Sequence, residues 1–290
     1  MSRSTSEQPF VVLPRDLLVP RSAAWPSGFP GTTVAVLAVI LTMLSAFPLT
    51  AQAAPGYLRT PALHGDRLVF NAEGDIWTAR TDGSGVRRLT SHPGDEVLPC
   101  ISPDGNWIAF AGDYDGNRDV FVIPADGGEP KRLTWHPGPD EPAGWTPDGS
   151  RVLIRSGRET PQWPPDIYTV PREGGEPEKL PIGGALSFSI DSQSGRYAFT
   201  RNGGGGTWKR YRGGTADDIW VGDPVKADFA RVTTFEGADT GPMWHGGVIY
   251  FLCDQGGTMN LWSMNSDGTG RKQLTRFDTW DARQASIDPT

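Results

Sequence analysis

Lys209, Arg210, Tyr211 and Arg212 set three cations and a phenol side by side in a chain that is otherwise acidic. Four glycines, Gly203 to Gly206, come just before them, and Gly213 and Gly214 come just after. Guanidinium and ammonium groups gathered this way attract carboxylates, and a guanidinium fork matches one geometrically. The chemistry expected of Lys209, Arg210, Tyr211 and Arg212 is therefore the capture of carboxylates. The competing expectation is a glycine-rich insertion whose aromatics cover one end of the fold.

Other residue patterns lead away from catalysis and metals. Asp113, Asp115, Asn117 and Asp119 alternate as in a calcium loop, but Arg118 stands where the turn glycine belongs and Pro124 where the closing glutamate belongs. A hairpin turn is expected there instead. "DSQSG" (Asp191–Gly195) carries a serine, but reads as a degraded turn rather than a nucleophile elbow. His92 and His136 lie 44 residues apart in matching "HPG" turns, with no third ligand in view. Cys100 and Cys253 have no CxxC spacing and are read as buried free thiols. The glycine run lacks the Lys-Ser/Thr of a phosphate loop, so no cofactor is expected. A net charge of −7 implies no basic face, so nucleic acid is not an expected partner.

The elements that must hold these residues are strands. Gly (37) and Pro (26) are abundant, and Trp reaches 11, as in many short strands joined by tight turns. From residue 57 a unit recurs. Its first core appears as "RLVF", "WIAFA", "RVLIR", "RYAFT" and "VIYFL". Its second appears as "DIWTA", "DVFVI", "DIYTV", "DIWVG" and "NLWSM". A turn and a further strand end each unit at Thr90, Thr134, Pro181, Thr233 and Thr275, in steps of 44, 47, 52 and 42 residues. Another strand leads into "SPDG" or "TPDG", a tight-turn tripeptide after its cap. Four strands per unit at this period predict an all-β fold, a β-propeller of four-stranded antiparallel blades. Five blades are complete, ending near 90, 134, 181, 233 and 275. A sixth unit begins after Thr275, which suggests a truncated six-bladed ring.

Residues 1–53 read as a signal peptide, with a polar region over 1–31, an apolar region over 32–50 and a small-x-small site at Ala51-Gln52-Ala53. Export to the periplasm or outside the cell is expected, with an uncleaved membrane anchor over 32–50 as the alternative. The propeller is expected over 54–290.

"SPDGNWIAFAGDYDGNRDVFVIPADGGEPKRLT" resembles the WD40-like repeat of TolB-type, prolyl-oligopeptidase and tricorn propellers. "WKRYRGGTADDIW" (Trp208–Trp220) and "LHGDRLVFNAEGDIWTA" (Leu63–Ala79) resemble the N-terminal six-bladed propeller of tricorn proteases, and the likeness runs over 57–290. The resemblance implies a serine peptidase that degrades oligopeptides, this segment being scaffold and peptide gate. It implies a following seven-bladed propeller, a PDZ module and a catalytic core, so no catalytic residue is expected in these 290 residues. It also implies a hexamer in the cytosol, as in the archaeal type, from which a signal peptide departs. The alternative is a TolB-like periplasmic propeller that binds protein partners without catalysis. That type has a small α/β domain before its propeller, whereas only about a dozen residues separate Ala53 from the first strand core.

Overall fold

The computed structural model describes residues 58–159, 163–202 and 209–289. The segment read as a signal peptide, the four glycines and Trp208 lie outside them. Twenty strands form five four-stranded antiparallel sheets, each a simple meander, and the sheets are the blades of a ring. Blade one is β1 (Arg59–His64), β2 (Arg67–Ala72), β3 (Asp75–Arg80) and β4 (Arg87–Arg88). Blade two is β5 (Glu96–Ile101), β6 (Trp107–Asp113), β7 (Arg118–Pro124) and β8 (Lys131–Arg132). Blade three is β9 (Asp140–Trp145), β10 (Arg151–Ser156), β11 (Asp166–Pro171) and β12 (Glu178–Gly184). Blade four is β13 (Phe188–Ile190), β14 (Tyr197–Thr200), β15 (Ile219–Asp223) and β16 (Asp228–Arg231). Blade five is β17 (Asp239–His245), β18 (Val248–Cys253), β19 (Asn260–Asn265) and β20 (Lys272–Gln273). The sixth unit opens without a strand, since residues 276–289 have no ladder.

The second and third strands of each blade are apolar on both faces because each blade is covered by its neighbours. Val69 and Ile76 of blade one pack with Ile108, Phe110 and Ile123 of blade two. Val120 and Val122 meet Trp145, Ile154 and Tyr168. Leu153 and Ile167 meet Phe188 and Phe199. Ala198 and Ile219 meet Trp244, Ile249 and Phe251.

The repeated turns have repeated bonds. In "SPDG" the Gly105 amide donates to Ser102 O at 2.9 Å, and the Ser102 hydroxyl takes the Trp107 amide at 3.0 Å. Gly105 has φ +72°, and a Cβ there would lie 2.7 Å from the His64 ring, so glycine is needed both for the turn and for the fit against blade one.

A second repeat joins the two outer strands of a blade. Thr90, Thr134, Thr233 and Thr275 each accept the amide of Ile76, Val120, Ile219 and Leu261, all at 2.9 Å. Thr134 and Thr233 also donate to the aspartate that opens the third strand, Asp119 or Asp218. An outer-strand cation closes the latch, as in Arg88–Asp75 (2.8 Å) and Arg132–Asp119 (2.5 Å). Blade three carries Pro181 in place of the threonine and has no hydroxyl to offer. There β12 runs on to Gly184 opposite Asp166, with a register shift, and Lys179 holds Asp166 at 2.7 Å.

Candidate functional site: the channel wall and the 209–218 loop

The innermost strand of every blade faces the ring axis. β1, β5, β9, β13 and β17 surround a channel of about 510 Å³, and residues 285–287 and 289 fill the remaining stave. Each inner strand is the free edge of its sheet, and four of the five carry a proline: Pro61, Pro99, Pro142 and Pro242. Proline suits an edge because it has no amide to leave unpaired. The ladder shifts register at each of these prolines. Before three of them the chain turns left-handed, at Thr60 (φ 47°), Leu98 (φ 57°) and Gly241 (φ 62°). These are β-bulges, which bend the strand and end regular pairing.

The staves are tied to one another. His64 Nε2 lies 3.0 Å from Pro103 O, Trp145 Nε1 donates to Cys100 O at 3.1 Å, and the Trp244 amide donates to Ser189 Oγ at 2.9 Å. The last stave is bound to β1 by side chains. Gln284 Oε1 accepts the Thr60 amide at 3.0 Å, Ser286 Oγ the Leu63 amide at 3.2 Å, and Asp288 Oδ2 the Gly65 amide at 3.0 Å.

The loop with the predicted cations joins β14 to β15, so it is a hairpin between the second and third strands of blade four. An antiparallel meander places all such hairpins at one end of the ring. The cations reach across to blade five and the segment beyond it. Lys209 Nζ lies 3.2 Å from Asp281 Oδ2. Arg210, at φ 59°, donates from Nε to Gly257 O at 2.7 Å. Arg212 Nη1 donates to Asp254 Oδ2 at 2.6 Å, and its guanidinium lies 5.0 Å over the Phe235 ring. Asp254 is itself buried and caps the Ala238 amide at 3.1 Å. Tyr211 is half-buried, and Gly213 lies so close beneath it that a Cβ there would meet the hydroxyl at 2.4 Å. That contact accounts for one glycine of the Arg-Gly-Gly run.

The sequence placed the four residues together but gave no sign of their partners. Asp254 and Asp281 sit 42 and 72 residues further on, at repeat positions that other blades fill with Asp113 and with Glu96, Asp140 and Asp239, and nothing in those positions points to the loop of blade four. Asp217, next to the loop, was also missed. It is 4% exposed, its carbonyl accepts the Asp239 amide at 2.8 Å, and its Oδ1 has no partner. Burial pushes its carboxyl up to about 7, and the charge of Asp218 adds to that. Glu96 and Asp140, at the starts of the inner strands of blades two and three, are raised by burial too.

The family model described as the tricorn protease N-terminal beta propeller domain matches residues 55–290. The chain belongs to this family. "Tricorn protease homolog 1" of Streptomyces coelicolor is 34% identical over 249 residues, which cover 83% of this chain and 23% of the relative. The "Tricorn protease homolog" of Saccharolobus solfataricus is 28% identical over 80% of this chain and 22% of its own length. The chain thus spans under a quarter of these relatives. The crystal structure of the tricorn protease superposes with a TM-score of 0.73 at 26% identity, covering 81% of this chain and 24% of that one. TolB from Acinetobacter baumannii, at 18% identity and TM-score 0.61, shares the fold.

The remaining residues singled out in this tricorn-family propeller sit in turns or in the core. Residues 114–117 form the β6–β7 hairpin, where Arg132 holds both Asp115 (2.6 Å) and Asp119 (2.5 Å). His92 and His136 each accept the amide two residues on, from Gly94 and Gly138, at 3.0 Å. "DSQSG" turns between β13 and β14, with Ser194 Oγ on Asp191 Oδ2 at 2.5 Å. Both cysteines are free; Cys253 is buried, but Cys100 is only half-buried because its strand lines the channel. Enclosure of the Cys100 thiol pushes it up to about 12, which keeps it unreactive.

Proposed function

We propose that this propeller is the scaffold and peptide gate of a longer serine peptidase that degrades oligopeptides. The observation that carries the reading is the axial channel, walled by inner strands from all five blades. Membership in the tricorn family supports it. The catalytic groups belong to modules beyond this segment, and the 209–212 cations set the charge at one end of the ring. The apolar stretch over 32–50, followed by Ala51-Gln52-Ala53, supports export of the protein.

The protein expressed from its full coding sequence should cleave an internally quenched oligopeptide. A fluorophosphonate should label a serine outside residues 1–290. Absence of cleavage, or a label within this segment, would sink the reading. N-terminal sequencing of the secreted protein should begin near Ala54, and a retained residue 1 would remove the export proposal.

A further inference from the structure

A second cleft, of about 410 Å³, opens between blades three and four, lined by Trp163, Asp166, Lys179, Gly183, Arg201 and Asn202 among others. Arg201 is its unusual member. Its guanidinium lies 5.0 Å over the Phe199 ring and 5.1 Å over the Trp220 ring. Stacking of this kind fixes the plane of the fork. Yet Arg201 has no hydrogen bond or ion pair among the described residues. Burial already lowers its pKa from the ordinary arginine value, a sign that the charge is partly stripped of water.

The surroundings narrow the ligand. Lys179 is committed to Asp166 at 2.7 Å and Glu159 at 3.2 Å. Those carboxylates repel a doubly charged phosphate, while one planar carboxylate matches one free guanidinium fork. The backbone at Gly183 comes close enough that a Cβ would touch Arg201 Nη1 at 3.4 Å. Trp163, 74% exposed, stands at the cleft as an apolar wall.

We propose that this cleft binds a carboxylate of a short peptide on Arg201, with the neighbouring apolar side chain laid against Trp163. The peptide as source rests on the function proposed above; the carboxylate chemistry rests on Arg201 alone. The site is separate from the 209–212 cations, which are already engaged.

The test is calorimetric titration of the chain with three probes: acetyl-glycyl-phenylalanine as the free acid, the same dipeptide as its amide, and acetyl-glutamyl-phenylalanine amide. The free acid should bind, and its amide should bind about tenfold or more weakly, the worth of one charged hydrogen-bonded pair. Binding of the glutamyl amide would assign the pocket to side-chain carboxylates as well as to the chain end. Arg201→Gln should cut binding of the acid by a similar factor. Trp163→Ala removes only an exposed indole, so it should weaken binding without moving Tm, and it decides the matter if Arg201→Gln does not fold. Equal affinity for acid and amide, no binding of either, or full binding by a folded Arg201→Gln would overturn the proposal. Hydrolysis by the full-length protein is read separately, so loss of one reading leaves the other standing.

Discussion

Four sectors of the ring, between blades one and two, two and three, three and four, and four and five, are filled by apolar clusters that draw side chains from both neighbours. The sector between blade five and blade one is different. Phe70, Ala72 and Ala79 of blade one form a cluster with Leu68 and Trp77 of the same blade only. Three side-chain-to-backbone bonds from Gln284, Ser286 and Asp288 cross that sector. A fully buried large apolar side chain is worth about 1.5–3 kcal/mol, whereas a partly exposed hydrogen bond is worth about 0.5–1.5. The first four sectors therefore supply cohesion. The fifth supplies direction, because three donors must meet three acceptors, but little cohesion. Local opening should begin there.

Variants can break this contrast, in order of expected effect. Phe199 is fully buried where blades three and four meet. Phe199→Ala should cost about 3–5 kcal/mol, read from a urea midpoint. A loss under about 1 kcal/mol would mean that the sectors are not what holds the ring. Asp217 comes next, with a pH signature. Its folded carboxyl titrates at about 7, above the ordinary 3.8. The folded state thus holds a proton that the unfolded chain releases, and this contribution is fully present below about pH 4 and lost as pH rises through 7. Asp217→Asn should flatten the fall in stability between about pH 4 and pH 7, by up to a few kcal/mol. An unchanged slope would show that Asp217 is not protonated in the fold.

Gly105→Ala should cost about 1–3 kcal/mol, since a left-handed turn and contact with the His64 ring both exclude a side chain. The smallest effect belongs to the polar sector. Ser286→Ala should lower stability by about 1 kcal/mol or less but speed hydrogen exchange at the Leu63 amide more than anywhere in blade two. Uniform acceleration round the ring would erase the distinction between sectors.

The blades were legible because each is the same local problem solved five times. Alternating apolar cores, "SPDG" turns and a closing threonine carry their geometry in adjacent residues. Blade three shows the limit. Pro181 is visible as a departure, but the extension of β12 to Gly184 depends on what the lost hydroxyl would have bonded. The seat of the last stave was not legible, because residues 276–289 have no strand pattern and find their place through isolated polar contacts. The 209–212 cluster was legible as composition only, since an ion pair across two blades is written in two distant turns. Arg201 looked like any residue at a strand end, and only the rings on either side of it set it apart.

The prolines of the inner strands have a mechanical consequence. A sheet edge facing a channel would ordinarily capture any extended chain that came near, by offering it a ladder of hydrogen bonds. Here four of the five ladders are interrupted within a few residues by an imino acid and a bulge, at Pro61, Pro99, Pro142 and Pro242, and the fifth, β13, is only three residues long. An extended chain in the bore therefore meets no long run of regular strand edge. The wall behaves like a low-friction bearing surface, made from the structural element most prone to stick.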